Sequence, residues 1–207
     1  MKNKIKVLIA DDHAIVRKGL VSLLGTKRDI VVVGEAEDGE EAVQKAVKLT
    51  PDVIIMDLMM PKKDGVAATA EIHRLLPETK IMILTSYGTS DGIAHALEAG
   101  ASGALMKSTE FAEFVSAIRA IAAGKRVVAP EIKRQLAEDP PVPELTPRQT
   151  EILHSITRGL TNADIAKQLG IREDSVKEHV NAIFIKLGAA NRSEAITIAM
   201  RKHLLKF

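Results

Sequence analysis

Carboxylates, hydroxyls and one ammonium recur at the ends of short apolar runs in this chain. Asp11-Asp12 follow KIKVLIA (4–10), and Asp57 closes DVIIMD (52–57). Thr85-Ser86 close KIMILTS (80–86), and Lys107 closes SGALMK (102–107). A carboxylate on a run as apolar as Val53-Ile54-Ile55-Met56 needs a reason, because burying it ionised and unpaired is costly. Three clustered carboxylates repel one another unless a hard divalent cation lies among them, and an all-oxygen set suits Mg²⁺, or Mn²⁺. A carboxylate beside such a cation can attack a phosphoryl group and form an aspartyl phosphate. A lysine and a threonine hydroxyl can then contact the phosphoryl oxygens. On this chemistry Asp57 is the nucleophile, Asp11 and Asp12 hold the metal, and Thr85 and Lys107 face the phosphoryl group. Taken singly, each residue has a plainer role. Asp11 or Asp12 could cap a helix starting at His13, Thr85 could be a turn residue, and Lys107 a solvated charge. Their recurrence at one end of successive strands favours the chemistry.

The elements that must position these groups are legible in the pattern. The runs above, with DIVVVGE (29–35), alternate with amphipathic stretches near 13–25, 38–48, 64–75, 90–98 and 110–123. On the helix near 38–48, Ala42, Ala46 and Val47 form one stripe. Five such β-α repeats predict a doubly wound α/β unit, a five-stranded parallel sheet covered on both faces. Open parallel sheets bind ligands beyond the carboxyl ends of their strands, where strand order reverses. A dinucleotide-binding fold is excluded, since Asp11-Asp12-His13 stands where a glycine-rich turn is needed and would repel a pyrophosphate.

The pattern changes after Gly124. A helical stretch, PEIKRQLAE (130–138), runs into DPPVPELTP (139–147), whose four prolines forbid regular structure. The expectation is a first domain over 1–124, a linker over 125–143 and a helical domain over 144–207. Thr146-Pro147-Arg148-Gln149 has the form of a helix start, and Gly159 ends that helix. Thr161-Asn162-Ala163-Asp164 starts another, ended by Gly170. A third runs from about Glu173 to Leu187, completing a helix-turn-helix pattern. Val176, Val180, Ile183 and Leu187 follow core spacing on that helix, while Asp174, Lys177, Glu178 and Asn181 line its other side. Lysine can contact guanine, asparagine can pair with adenine, and glutamate can accept from cytosine. The plainer alternatives are a solvated face on a helical bundle, or a helix-turn-helix that serves protein contacts.

Bulk composition is compatible with these assignments. The chain has 207 residues, a formal net charge of +2 and no cysteine, which excludes disulfides and thiolate metal sites. Residues 144–207 carry ten Lys/Arg and seven Asp/Glu, leaving 19 and 20 for the remainder (29 − 10 and 27 − 7). A mildly basic C-terminal part behind a neutral N-terminal part is compatible with nucleic-acid binding. No run approaches the about 18–20 apolar residues of a membrane span, and the N-terminus lacks a signal-peptide core, so a soluble, cytoplasmic protein is expected.

At this point the sequence resembles a known family. IADDHAIVRKGL, DVIIMDLMMPKKDG, ILTS and GASGALMK resemble the receiver domain of bacterial two-component response regulators. LTPRQTEIL, GLTNADIAKQLGI, SVKEHV and KLGAANRSEA resemble the helix-turn-helix of the NarL/LuxR (FixJ) type. The resemblance implies a flavodoxin-like strand order 2-1-3-4-5 followed by a small four-helix DNA-binding domain. It implies that Asp57 accepts a phosphoryl group from a sensor histidine kinase, and that Mg²⁺ is held by Asp11, Asp12, Asp57 and the backbone carbonyl of Met59. Thr85 and Lys107, with Ser86 and Tyr87 beside them, would form the switch. Lys177 would be the chief DNA contact, with Glu178 and Asn181 tuning preference, Asp174 and Ser175 also in the DNA-binding set, and Arg192 and Thr161 touching the backbone. The last helix, about 192–204, would pair two copies through Ile196 and Ala199. Double-stranded promoter DNA, a second copy and RNA polymerase are the implied partners, with no membrane.

Three residues depart from the family pattern. Ala104 stands where receivers carry a switch Tyr or Phe three residues before the lysine, so the Thr85–Tyr87 stretch is expected to carry the change. Arg172 stands where a capping Ser or Thr is expected, and residue 178 is acidic. Two rivals remain. One is an aspartate-nucleophile phosphatase or phosphotransferase, disfavoured because Met59, not a second aspartate, follows two residues after Asp57. The other is a receiver whose output is protein binding alone. The expected protein is not an enzyme beyond its own phosphoryl transfer and autodephosphorylation.

Overall fold

The computed structural model describes residues 4–86, 90–143, 145–202 and 204. The chain divides into two compact units, Met1–Pro140 and Pro141–Phe207.

In the first unit, strands pair in parallel, most of them rich in β-branched residues. They are β1 (Ile5–Ala10), β2 (Ile30–Ala36), β3 (Val53–Met56), β4 (Lys80–Thr85), β5 (Gly103–Met106) and β6 (Val127–Val128). Every residue of β3 is buried, as a strand covered on both faces requires. The sheet order is β2-β1-β3-β4-β5-β6. Order therefore reverses between β1 and β3, which opens a crevice at their carboxyl ends. The crossovers α1 (Ala14–Gly25), α2 (Gly39–Leu49), α3 (Gly65–Leu75), α4 (Ser90–Glu98) and α5 (Phe111–Ala122) close the layers.

Two features extend the architecture expected from sequence. The sheet has a sixth strand, because Val127 and Val128 pair with Gly103 and Ala104 of β5. Gly103 permits this approach, since a Cβ there would lie 2.3 Å from the Val127 carbonyl oxygen. Helix α6 (Pro130–Glu138) then returns to the same core, with Ile132 fully buried in it. Its C-cap, Asp139, accepts a hydrogen bond from Ser90 Oγ at the start of α4 (2.7 Å). Residues 125–139 thus belong to the first compact unit, which runs past residue 124 and ends at Pro140. The sequence offered no sign of β6, because two residues cannot display a period.

The second unit is helical: α7 (Pro147–Thr157), α8 (Asn162–Leu169), α9 (Glu173–Leu187) and α10 (Arg192–Arg201). Thr146 and Gln149 form a reciprocal capping box at α7, and Thr161 and Asp164 another at α8. Gly170 and Gly188 end α8 and α9 in left-handed conformations (φ 63° and 66°) that glycine adopts without a Cβ penalty. Ile152, Ile165, Val176, Ile183 and Ala195 are fully buried where these helices meet. Arg172 does precede α9 as its N-cap and makes no side-chain capping bond.

Candidate functional site

The end of β3 is held by close backbone contacts. Gly65 N–H donates to the Leu58 carbonyl (2.9 Å), and a Cβ at Gly65 would lie 2.1 Å from the Asp57 carbonyl oxygen. Only glycine allows α3 to start this near Asp57. The adjacent Asp64 caps α3 by accepting from Ala67 N–H (2.9 Å). Met59 is 65% exposed, unlike its buried neighbours Leu58 and Met60.

Above that floor, three strands deliver their charges to one place. Asp57 is 4% exposed and Asp11 2% exposed, although both are carboxylates. Lys107, from the end of β5, bridges them: Nζ lies 2.7 Å from Asp11 Oδ2 and 2.8 Å from Asp57 Oδ2. Burial pushes the Asp57 carboxyl above its ordinary value, and Lys107 only partly offsets this. Burial also opposes the charge on Lys107, but its bonds to Asp11 and Asp57 prevail and hold its pKa above the ordinary lysine value. Asp12 lies on the exposed side of the same cluster. Thr85 is buried at the end of β4, its carbonyl accepting from Lys107 N–H (2.8 Å).

The plainer role for the aspartate pair does not describe α1. His13 is the N-cap of that helix and makes no side-chain capping bond. Asp11 Oδ1 instead accepts from His13 N–H (2.8 Å), which turns the loop toward the site. His13 itself was missed from sequence. Its Nδ1, Asp11, Asp12 and Asp57 offer ligand atoms within 4.8 Å of one another, a group that could hold a metal ion. The only sequence signal was adjacency to the aspartates. Ser86 is exposed just past Thr85, and Tyr87 lies outside the described residues. Ala104, in the switch-aromatic position, is fully buried, with β6 paired alongside it.

In the second unit, α9 presents the expected faces. Val176, Val180, Ile183 and Leu187 are buried, while Asp174, Lys177, Glu178 and Asn181 are exposed and Ser175 is half-buried. Lys177 Nζ lies 3.2 Å from Asp174 and 3.4 Å from Glu173, exposed pairs of the kind that helices form at these spacings. The Thr161 hydroxyl is engaged by Asp164 (2.6 Å) within its capping box. Arg192 donates to the Leu160 carbonyl. A guanidinium has five donors, so this bond orients the group without exhausting it. On α10, Ile196 is half-buried, but Ala199 is 1% exposed and belongs to the core of its own unit. The exposed apolar side chain beside it is Met200.

A buried aspartate–lysine cluster at the switch point of a parallel sheet, followed by a helix-turn-helix, defines a class: a regulator with a receiver and a DNA-binding output. The family model described as response regulator receiver domain matches residues 7–119, and that of the bacterial regulatory proteins of the luxR family matches residues 143–199. The chain belongs to the two-component response regulators of the NarL/LuxR type. It is 41% identical to the transcriptional regulatory protein LiaR of Bacillus subtilis, over 97% of this chain and 99% of that protein. It is 39% identical to the response regulator protein VraR of Staphylococcus aureus, over 98% and 99%. Among solved structures, the response regulator ChrA of a heme-sensing two-component system matches with a TM-score of 0.59 at 38% identity, covering 98% of this chain and 100% of that one. RcsB of Salmonella enterica, bound to a promoter in the presence of the phosphomimetic BeF3⁻, matches with a TM-score of 0.68 at 28% identity, covering 95% and 98%. No helix among the described residues is long and apolar enough to cross a membrane.

Proposed function

We propose that Asp57 is the phosphoacceptor and that its phosphorylation controls promoter binding through α9. The observation that carries this is the Lys107 ammonium bridging two buried carboxylates, Asp11 and Asp57, at the carboxyl ends of β1 and β3. An Asp57 oxygen attacks the phosphorus of a phosphohistidine on a sensor histidine kinase; the O–P bond forms as the P–N bond breaks. The Lys107 ammonium offsets charge on the transferring oxygens, and Thr85 donates its hydroxyl to the phosphoryl group. Asp11, Asp12, Asp57 and the Met59 carbonyl are the residues that would hold Mg²⁺ or Mn²⁺, and this donor set of oxygens fits such an ion. When bound, the cation neutralises charge on the phosphoryl oxygens. Hydrolysis of the aspartyl phosphate resets the protein, which is the only turnover assigned to it.

The output is a population shift, so unphosphorylated protein retains weak DNA binding. Lys177 is the chief base contact, with Asp174, Ser175, Glu178 and Asn181 around it and Arg192 and Thr161 at the backbone. Phosphorylation favours a homodimer on two half-sites, a reading supported by the solved RcsB dimers bound to DNA. Ile196 is retained as a dimer contact, whereas the burial of Ala199 limits it to supporting α10 from beneath. The receiver role is assigned to the unit ending at Pro140, and RNA polymerase and a cytoplasmic setting complete the proposal. Acetyl phosphate labelling tests it: Asp57→Ala is expected to abolish the label, and stoichiometric label on that variant would show that the nucleophile is another residue.

A further inference from the structure

The acidic cluster contains one group that an all-oxygen site does not need. His13 stands at the start of α1, its imidazole unused in capping and its side chain 67% exposed, so an ion from solvent can reach it. Nδ1 lies 2.6 Å from Asp12 Oδ1 and 3.4 Å from Asp11 Oδ1. Adjacent ligands of an octahedral ion with bonds of about 2.1 Å lie about 3 Å apart. The two separations bracket that value, and the ligand atoms of His13, Asp11, Asp12 and Asp57 all lie within 4.8 Å of one another. The backbone favours the arrangement, because His13 N–H donates to Asp11 Oδ1 and fixes that carboxylate beside the ring.

We propose that His13 is a further protein ligand of this site, so that the site takes a first-row transition cation such as Mn²⁺ in preference to Mg²⁺. Imidazole nitrogen suits transition ions, whereas Mg²⁺ favours oxygen. Coordination uses the neutral imidazole with its proton on Nε2, so that the Nδ1 lone pair faces the cation. This inference rests on the metal role given above to Asp11, Asp12 and Asp57. It adds the nitrogen and the order of preference.

The experiment uses the full chain loaded with Mn²⁺ in place of Mg²⁺. Pulsed electron paramagnetic resonance reads ¹⁴N coupling to the bound ion, and competition titrations read the Mn²⁺/Mg²⁺ affinity ratio. The expected result is imidazole coupling in the wild type and its loss in both His13→Ala and His13→Gln. The affinity ratio should fall roughly tenfold in both variants, chiefly by weakening of Mn²⁺. Bound Mn²⁺ without nitrogen coupling would overturn the proposal while leaving an oxygen-only site intact. Coupling that survives in both variants would overturn it too, by assigning the nitrogen to another histidine. If the wild type bound neither Mn²⁺ nor Mg²⁺, the metal role of the aspartates would fall as well.

Discussion

The two functional regions solve opposite electrostatic problems. Around Asp57 the charges are buried, few and mutually bridged by Lys107 at 2.7 and 2.8 Å. On α9 they are exposed, and Lys177 pairs with its own helical neighbours, at 3.2 and 3.4 Å. The first arrangement is prepared before its ligand arrives, because moving charges into a dry site at the moment of reaction would be expensive. The second remains solvated, where each surface pair is weak and yields readily to a base or phosphate. A receiver site therefore depends on exact burial, while a DNA-reading face depends on what it meets. Single substitutions should act sharply in the first region and gradually in the second.

That contrast can be broken most directly at Lys107. Lys107→Ala leaves Asp11 and Asp57 buried without their shared cation and is expected to slow acetyl phosphate labelling by roughly 10²–10³-fold, the usual cost of one lost charge-stabilising donor. A loss under about threefold, read from labelling time courses, would mean that the bridge does not serve the phosphoryl transfer. On the exposed side, Lys177→Ala is expected to weaken binding to a cognate site by about 1–3 kcal/mol and to relax base preference at one position. Unchanged affinity at moderate salt would remove Lys177 from the interface.

A smaller effect concerns stability. Burial raises the Asp57 pKa in the folded protein, so the ionised side chain destabilises the fold at neutral pH. Asp57→Asn, measured without divalent cations, should therefore raise the melting temperature, by no more than the about 0.5–2 kcal/mol usual for a single stabilising substitution. The sign fixes the pH dependence. The gain is full above the raised folded-state pKa, shrinks as pH falls through it, and vanishes below the ordinary aspartate value of 3.8. A gain that grew on acidification would contradict the assignment of burial as the dominant influence.

Much of this was legible in the sequence, for reasons that differ between the regions. The capping boxes at Thr146 and Thr161 are local, three-residue devices, and both formed as their spacing predicts. The rim of Asp11, Asp57, Thr85 and Lys107 was legible because parallel strands share a direction, so residues that end successive strands share an edge. What escaped was set by tertiary packing. β6 is two residues long, and α6 is fixed by Ile132 entering a core assembled from other elements. Ala199 carries the right spacing for an exposed dimer face, yet α10 turns it inward and leaves Met200 outside. His13 was overlooked because its usefulness depends on a side-chain rotation toward Asp12 that no sequence period encodes.

The central claim is that the chemistry at Asp57 governs what α9 does. It is tested most directly by titrating a promoter fragment with the full chain, with and without acetyl phosphate and Mg²⁺, for the wild type and Asp57→Ala. The account predicts that phosphorylation tightens wild-type binding at least tenfold, about 1.4 kcal/mol, while Asp57→Ala shows weak binding that acetyl phosphate leaves unchanged. Equal tightening in both proteins, or none in a wild type shown to be fully labelled, would contradict it.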